Sequence, residues 1–440
     1  MYKTTKILQT CQNAEVDLSI LYSLCYHAAR MYNVGLYSVR QHFFNTNTYL
    51  PYNDNYHACT SNENYKLLLS DIGQQLLRLV DRDFQSFYRL LILKKAGKYS
   101  EKVNLPHYKP KDGVMVCPIQ GRSCRIQKDG KVAIGLTKEF REKYNISERR
   151  IFFTIPKNIR HIKQFREIRI IPLYNGKEFS IEFIYEDITP KQQATGNGYM
   201  SIDLGVSNFA ACTTFSNNGA HQFLIDGRRL TSINHYYNKC VARLKSEYSK
   251  HKGIISTNTP RMLRLMNGRR HRIDDYFNRV CKMLINVCLN EGITTLVIGY
   301  NKGQKQDIKL GRVNNQNIVS IPYYLFRRKL EYMCSEYGIT YCSQEESYTS
   351  KSSSLDCDAL PVYGDGEEHV FSGKRIHRGL YRSSDGSVLN ADINGSINIL
   401  RKYFNERNEK WNFHDSVRAL VNVPCQRVSP FAQAPSFMGM

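Results

Sequence analysis

The chain has 440 residues and carries 62 Lys and Arg against 39 Asp and Glu, a formal net charge of +23. This excess favours a polyanion partner, because each phosphate that a protein neutralises releases a condensed counterion. No apolar run approaches the roughly 20 residues that a membrane-spanning helix needs, and the first residues lack the apolar core of a secretory signal. We therefore expect nucleic acid, and no membrane, as the partner.

Cysteines and aromatic residues narrow this expectation. The 13 cysteines are spread singly, with no Cys-x-x-Cys pair, which predicts reduced thiols in a cytosolic or nuclear compartment. Thirty tyrosines and 20 phenylalanines lie among short basic runs and offer stacking surfaces for unpaired bases. A basic proteome rich in Tyr and Asn would explain part of this composition. It would not explain arginine clusters such as Arg269, Arg270 and Arg272, which we predict to bind nucleic acid.

The amino-terminal half predicts a strand followed by helices. Residues 1–18 have the pattern of a short strand and a link. From about 19 to 97 apolar residues recur at helical spacing, as Ile72 and Leu76 do. Residues 98–122 are irregular and rich in proline, so we expect a connector there.

A module of hairpins follows. Asp129 and Gly130, and later Asn175 and Gly176, separate pairs of alternating apolar runs, which is a strong signal for a tight turn. The pattern predicts a β-barrel over 123–188. Such a basic barrel would suit a nucleic-acid backbone, and a purely structural barrel explains the pattern equally well.

After a linker at 189–198, the second half predicts a mixed α/β sheet. The order of elements is three strands, a helical region, a strand, a helix, a strand and a helix, which is the order of an RNase H-like domain. The predicted elements are strands 199–206, 208–215 and 221–226, a basic helical region over about 231–290 with a break near 253–260, strand 294–300, helix 322–337, strand 339–346 and the helix that follows Asp392.

Two aspartates lie at positions in this order that favour a metal site. Asp203 lies in the first strand and Asp392 at the start of the last helix. An RNase H-like nuclease brings such residues together, because divalent cations need several oxygen ligands and negative charge. Taken singly, Asp203 also fits a turn residue and Asp392 a helix cap.

Several blocks of this half together resemble the TnpB (OrfB) family of transposon-encoded RNA-guided DNA endonucleases, which are related to Fanzor proteins and type V CRISPR effectors. The blocks are SIDLGVSNFA, VIGYNKGQKQ, EESYTSKSSSLD, FSGKRIHRGLYRSSDG and ADINGSINILRK. The resemblance implies an α/β multidomain chain: an RNase H-like (RuvC) nuclease domain preceded by a β-barrel wedge module with an inserted helical recognition lobe. The implied boundaries are wedge 1–18 and 123–188, lobe and connector 19–122, nuclease 199–346 and 391–408, an insertion at 347–390 and a carboxy-terminal tail at 409–440.

The resemblance also implies the activity. The protein would carry a guide RNA, bind double- and single-stranded DNA beside a short flanking motif, and cut by two-metal hydrolysis with Mg²⁺, or with Mn²⁺. Asp203 and Asp392 would be catalytic metal ligands. The expected location is the cytoplasm if the protein is prokaryotic, and the nucleus if it comes from a eukaryote or its virus. The protein is expected to be a monomer on its RNA.

One departure from the family pattern concerns the third carboxylate. Family members usually place a Glu at the end of the fourth strand, and here residues 296–300 hold none. A branch of the family carries this Glu after the fifth strand, which favours Glu346, with Glu345 as the alternate. An exposed acidic strand end is the simpler explanation.

A second departure concerns the zinc ribbon of the family. Residues 347–390 contain Cys357, His369 and His377, too few ligands for tetrahedral zinc, so no structural zinc is expected. Lys374 and Arg375 are predicted to guide single-stranded DNA, and Lys351 and Arg378 to neutralise the scissile phosphate. Asn394 and Asn398 are predicted to lie behind the site or to contact DNA, and helix polarity alone explains them as well.

Two other functions stay open at this point. The missing carboxylate near Gly299 would suit an RNA-guided DNA-binding repressor without nuclease activity. An RNase H-like transposase that joins DNA ends without RNA would use similar carboxylates. A discrete RNA that co-purifies with the protein would separate both RNA-guided functions from the transposase.

Overall fold

The computed structural model describes residues 2–189, 191–252, 259–301, 321–361, 368–377, 379–421 and 423–432. The chain forms two compact units, Met1–Thr189 and Pro190–Met440. Within the described ranges, no helix combines the length and the apolar character needed to cross a bilayer.

The first unit combines helices with two small sheets. Its elements are β1 (Tyr2–Gln9), α1 (Leu18–Thr46), α2 (Tyr52–Cys59), α3 (Glu63–Leu67), α4 (Ser70–Lys95), β2 (Cys117–Gln120), β3 (Cys124–Ile126), β4 (Lys131–Gly135), α5 (Lys138–Tyr144), β5 (Arg150–Thr154), β6 (Glu167–Leu173) and β7 (Glu178–Glu186). Both predicted hairpins are present, β3–β4 around Gly130 and β6–β7 around Gly176. Each glycine has a positive φ, 80° and 82°, which a Cβ would disfavour.

The strands of this unit form a four-stranded sheet, in the order β1-β7-β6-β2, and a three-stranded sheet, β3-β4-β5. One apolar core joins residues of both sheets and of the helices, for example Phe183, Phe153 and Leu76. The helices predicted over about 19–97 end at Lys95, close to the expected place, but the connector expected over 98–122 is not wholly irregular. Cys117–Gln120 already forms β2, because Cys117 and Ile119 alternate into this core.

The second unit is built on a six-stranded mixed sheet. Its elements are β8 (Gly198–Leu204), β9 (Asn208–Ser216), β10 (Gly219–Asp226), α6 (Arg228–Lys252), α7 (Pro260–Glu291), β11 (Ile293–Tyr300), α8 (Tyr323–Glu336), β12 (Thr340–Glu345), β13 (Lys374–His377), β14 (Leu380–Arg382), β15 (Val388–Asn390), α9 (Ala391–Glu406), α10 (His414–Leu420) and β16 (Gln426–Val428). The sheet order is β12-β11-β8-β9-β10-β16, and β13-β14-β15 form a separate small sheet. The strands and helices predicted for this half are observed, and most of the predicted break near 253–260 lies outside the described residues.

Helices cover both faces of the large sheet, so its central strands are almost continuously apolar. Alternation along β8 sends Met200 and Ile202 into the core shared with α7 and α8. Ser201 and Asp203 therefore face α9, on the other side of the sheet. Position 203 thus reaches the helix that carries Asp392.

The segment 409–440, expected as a tail, contributes to the sheet. Its β16 pairs in parallel with β10, and Val417 and Leu420 of α10 are buried against the α9 side. The elements α10 and β16 are too short for their apolar residues to show a helical or strand periodicity in the sequence. Tertiary packing determines their conformation.

Candidate active site

Asp203 stands near the end of a central strand, where β8 lies between β9 and β11. Its carboxylate approaches α9 closely. A Cβ on Gly395 would lie 2.6 Å from Oδ2 of Asp203, so only glycine leaves room for the carboxylate there. The helix that starts at Ala391 is therefore shaped to accept Asp203.

A buried hydroxyl cluster fixes α9 against the sheet. Ser396 lies 3.0 Å from the Ser201 hydroxyl, accepts from Thr213 Oγ1 at 2.8 Å and donates to the Ser201 carbonyl at 3.0 Å. All three side chains are fully buried. Buried polar groups with complete hydrogen bonding hold one arrangement, so this cluster sets the position of the first turn of α9 relative to β8.

Asp392 lies in that first turn. Asn390 caps the helix, accepting from the backbone N–H of Asp392 at 2.9 Å and of Ile393 at 3.2 Å. Because the neighbouring asparagine performs the capping, the carboxylate of Asp392 is available for other contacts. It accepts from Asn208 Nδ2 at 2.7 Å and from Arg375 Nη2 at 3.1 Å.

Glu346 follows the last residue of β12 and fills a space left by a glycine on the neighbouring strand. Gly299 lies one residue beyond the Ile298–Ile202 pair, so it neighbours Asp203 across the sheet. A Cβ at position 299 would collide with Oε2 of Glu346 and lie 2.6 Å from Ile399. The carboxylate missing from β11 is thus replaced in space by one from β12.

Electrostatics place the three carboxylates in one group. Burial, then the charges of Glu346 and Asp392, raise the pKa of Asp203 well above its usual value, and Arg375 opposes this shift. Burial and the charge of Glu345 raise the pKa of Glu346 to about 7, while Arg327 opposes this. Like charges raise each other's pKa in this way only when they lie close together in a poorly solvated site.

Glu345 has a different environment. It accepts from the buried ammonium of Lys402, from the Ser347 hydroxyl and from the Ser347 N–H at 2.8 Å. Burial alone would raise the pKa of Glu345, but the hydrogen bonds from Lys402 and Ser347 lower it overall. Its charge is therefore already compensated within the protein, and it is Glu346 that adds to the charge around Asp203.

The chemistry of the three side chains suits a hard divalent cation, since all donors are carboxylate oxygens. A cation would relieve the repulsion that raises the pKa of Asp203. In the described part of the chain, no group of three or more His, Cys, Asp or Glu side chains is arranged to hold an ion as it stands. Asp392 is bonded to Arg375 and Asn208, and it would exchange at least one of them for a cation.

Sequence comparisons relate the chain to known families. The OrfB_IS605 family, described as "Probable transposase", matches residues 182–305, and the family "Cas12f1-like, TNB domain" matches residues 323–399. TnpB-like protein ORF457 of Acidianus two-tailed virus is 23% identical over 410 residues, covering 85% of this chain and 81% of the viral protein. The chain is therefore similar to TnpB-family proteins along most of its length.

A solved structure is similar to this chain in fold. The cryo-EM structure of a Cas12f1–sgRNA–target DNA complex matches with a TM-score of 0.53 and 16% sequence identity. The match covers 86% of this chain and 82% of the Cas12f1 chain. The similarity extends along most of both chains.

Asn394 and Asn398, predicted to lie behind the site or to contact DNA, have no exposed amide. Both are buried, and each bonds the backbone of residues 349–354, so the role behind the site stays a prediction. Asn394 donates to the Ser352 carbonyl at 2.8 Å, and Asn398 donates to the same oxygen at 2.7 Å. Both amides join α9 to the loop after β12, because an amide can satisfy backbone donors and acceptors at once.

The predicted basic residues are distributed over several places. Arg375 reaches the site directly, through Asp392. Lys351 and Lys374 are exposed, and Arg378 lies outside the described residues. The arginines predicted at 269, 270 and 272 lie on α7, and two of them line a separate cavity.

Hydrogen bonds tie the loops of the 347–390 insertion together. The Asp356 carboxylate accepts from Ser372 Oγ at 2.8 Å and from Ser384 Oγ at 2.6 Å, and Asp358 accepts from Ser372 Oγ at 2.6 Å. Burial alone would raise the pKa of Asp356, but hydrogen bonds from Ser353, Ser384 and Ser372 lower it to about 2. Serine and aspartate side chains thus connect separate stretches of this insertion.

Sequence reasoning missed several residues at the site. Gly299 and Gly395 contribute by lacking a side chain, and Asn208 contributes by a hydrogen bond to Asp392. Of these three, only Gly299 carried a signal in the sequence, because a Glu was expected near it. Arg427 was missed as well. It donates to Asn208 Oδ1 at 2.6 Å and so links β16 to the amide that holds Asp392.

Proposed function

We propose that this chain is a TnpB-family RNA-guided DNA endonuclease of the relocated-glutamate branch, which cuts target DNA beside a short flanking motif. The observation that carries the proposal is the replacement of a side chain at Gly299 by the carboxylate of Glu346. An abandoned nuclease site would have no reason to keep Asp203 buried near two further carboxylates, because their charges oppose its ionised form.

Asp203, Glu346 and Asp392 are the residues that would hold two Mg²⁺ ions. Such ions activate water and stabilise the leaving oxygen in phosphodiester hydrolysis. The protein contributes the negative charge, and the hydroxyl cluster around Ser396 keeps Asp203 and Asp392 in register. Arg375 pairs with Asp392 and would be available to a phosphate once a cation takes over that carboxylate.

The partners follow from the family and the fold. The similar solved structure is a complex with guide RNA and target DNA. For this chain we propose a guide RNA that pairs with the target strand, with the first unit and the basic surfaces of the second holding the backbone. The net charge of +23 fits this large polyanionic load.

The test is cleavage of a plasmid programmed by the RNA that co-purifies with the protein, in the presence of Mg²⁺. Asp203→Ala should abolish cutting and retain RNA binding. Glu346→Gln should slow cutting by about a thousandfold, the cost of losing one charge-stabilising group in other active sites. Glu345→Gln is the matched control, and it should cut at close to the wild-type rate.

The outcomes separate the competing functions. If Glu346→Gln and Glu345→Gln both cut like wild type, the role of the relocated glutamate is disproved. A protein that binds RNA and target DNA without cutting is a repressor. Cutting or strand joining by RNA-free protein would identify a transposase.

A further inference from the structure

The second unit contains a cavity that the carboxylate site does not use. It lies between α6 and α7 and has a volume of about 450 Å³. Ile233, Leu244 and Leu265 give it an apolar floor. A pocket of this size and character, with a few polar groups around it, is typical of a site for a small planar ligand.

Gly268 keeps this cavity open. It lies within the 32-residue helix α7, where glycine costs about 1 kcal/mol relative to alanine. A Cβ at this position would meet no heavy atom within 4 Å, so packing does not demand the glycine. The missing side chain instead leaves space beside the tyrosines of the facing helix.

Aromatic rings and guanidinium groups form the walls. The Arg269 guanidinium lies 5.1 Å from the Tyr237 ring centre, and that of Arg272 lies 5.9 Å from the Tyr236 ring centre. Arg269 donates to the buried Asn234 at 2.6 Å, which fixes its orientation. Tyr236 remains 54% exposed, so part of its ring is still accessible from solvent.

The lining carries several cationic groups, one of which, Arg243, is paired with Glu247 at 2.9 Å. Five arginines and no acidic residue belong to the described lining: Arg243, Arg261, Arg264, Arg269 and Arg272. Burial lowers the pKa of Arg269, so an anion beside it would be stabilised. Apolar floor, aromatic wall and cationic rim together match a nucleobase with its flanking phosphates, whereas a bare phosphate would not use the floor.

We infer that this cavity binds an unpaired nucleotide of an RNA, with the base stacked beside Tyr236 and the phosphates on the arginines. RNA is favoured over DNA because folded RNA displays bulged bases permanently, while duplex DNA displays them only after it is opened. The inference rests on the proposed function, since it takes the guide RNA as the source of that nucleotide.

The experiment compares two RNA hairpins that differ by one bulged uridine, with binding measured by fluorescence anisotropy at fixed salt. Wild-type protein should prefer the bulged hairpin by about tenfold, the usual cost of losing one stacked base. Gly268→Leu fills the cavity and should remove this preference, with a melting temperature at or above that of wild type. Tyr236→Ala should also remove it, and Tyr236→Phe should retain it.

Arg270→Gln is the matched charge control, because Arg270 is exposed on the same helix and does not line the cavity. It should retain the preference even if overall affinity falls. No preference in wild type, or an unchanged preference in Gly268→Leu, would overturn the inference. An equal preference for a bulged DNA hairpin would overturn the assignment to RNA. If the protein binds neither hairpin and no RNA co-purifies, the proposed function itself fails.

Discussion

The first turn of α9 and the middle of the same helix contain similar polar residues, and the structure treats them in opposite ways. In the middle, Asn398 and Arg401 are buried and hydrogen-bonded to one another and to the loop after β12. In the first turn, Asp392 lies near the buried Asp203, whose pKa is raised by burial and by the charges of Glu346 and Asp392. Buried polar groups with complete hydrogen bonding stabilise the architecture, whereas a buried carboxylate next to other carboxylates marks the candidate site.

Two adjacent glutamates show the same contrast within a single peptide. Glu345 is paired with Lys402, whose ammonium also reaches the carbonyls of Ser347 at 3.3 Å and Pro361 at 3.2 Å. Glu346 instead points to the space at Gly299 beside Asp203. A shift of one residue along the chain therefore separates a structural ion pair from a candidate metal ligand.

The contrast between Glu345 and Glu346 can be tested by moving the carboxylate from position 346 to position 299 on β11. Gly299→Glu alone should destabilise the protein by about 1–3 kcal/mol, because the new side chain collides with Glu346 and also requires the Ile399 side chain to shift. Combined with Glu346→Gly, it should recover at least about tenfold of the cutting lost by Glu346→Gly alone, since the charge returns to nearly the same place. Guide-programmed cleavage rates of the three variants provide the measurement.

Glu345→Gly with Gly299→Glu is the control for this exchange. It removes the Lys402 partner and leaves Glu346 in place, so the collision persists and stability should fall further. Recovery of cutting in this control, or none in the Glu346→Gly pair, would show that the two positions do not share one space.

Much of this arrangement was predictable from the sequence. Asp203 in a strand and Asp392 at a helix start are local patterns, and the order of elements gave the mixed sheet that brings them together. The preference for Glu346 came from the resemblance to a branch of the family. What separates it physically from Glu345 is a lysine 57 residues away, and no local pattern reports such a distant pair.

The errors have a common physical cause. Asn394 and Asn398 have the spacing of one helix face, and spacing alone does not tell whether that face meets solvent or a loop. The strand β16 was missed because three residues carry too little pattern. Its parallel pairing with β10 depends on the packing of α10 and not on its own propensity.

The structural role of the middle of α9 gives a second prediction. Asn398→Ala should lower the free energy of unfolding by about 1–3 kcal/mol, because the carbonyls of Thr349 and Ser352 and the Arg401 guanidinium lose a buried partner. RNA affinity and its salt dependence should stay unchanged. Asn405→Ala, on an exposed position of the same helix, is the control and should be neutral. A weaker salt dependence of RNA binding in Asn398→Ala would restore the DNA- or RNA-contacting role.

The smallest expected effect concerns the free energy of unfolding of the metal-free protein, and it follows from the raised pKa of Glu346. The pKa of Glu346 is about 7 in the folded protein, against 4.5 as its ordinary value. Between these values the folded state holds a proton that the unfolded state has lost, so stability falls as pH rises through this window and is constant above it. Glu346→Gln lacks this dependence. Its stability relative to wild type should therefore increase by about 1 kcal/mol from pH 5 to pH 8, allowing for solvent screening.

Thermal unfolding in the presence of a chelator measures this difference, and Mg²⁺ tests its cause. A cation that binds only the folded state stabilises it, and the gain should be larger at pH 8, where the carboxylates are ionised. Glu346→Gln should show a smaller gain than wild type, whereas Glu345→Gln should show the full one. Equal gains in wild type and Glu346→Gln would mean that the raised pKa reflects burial alone and that Glu346 does not face a cation.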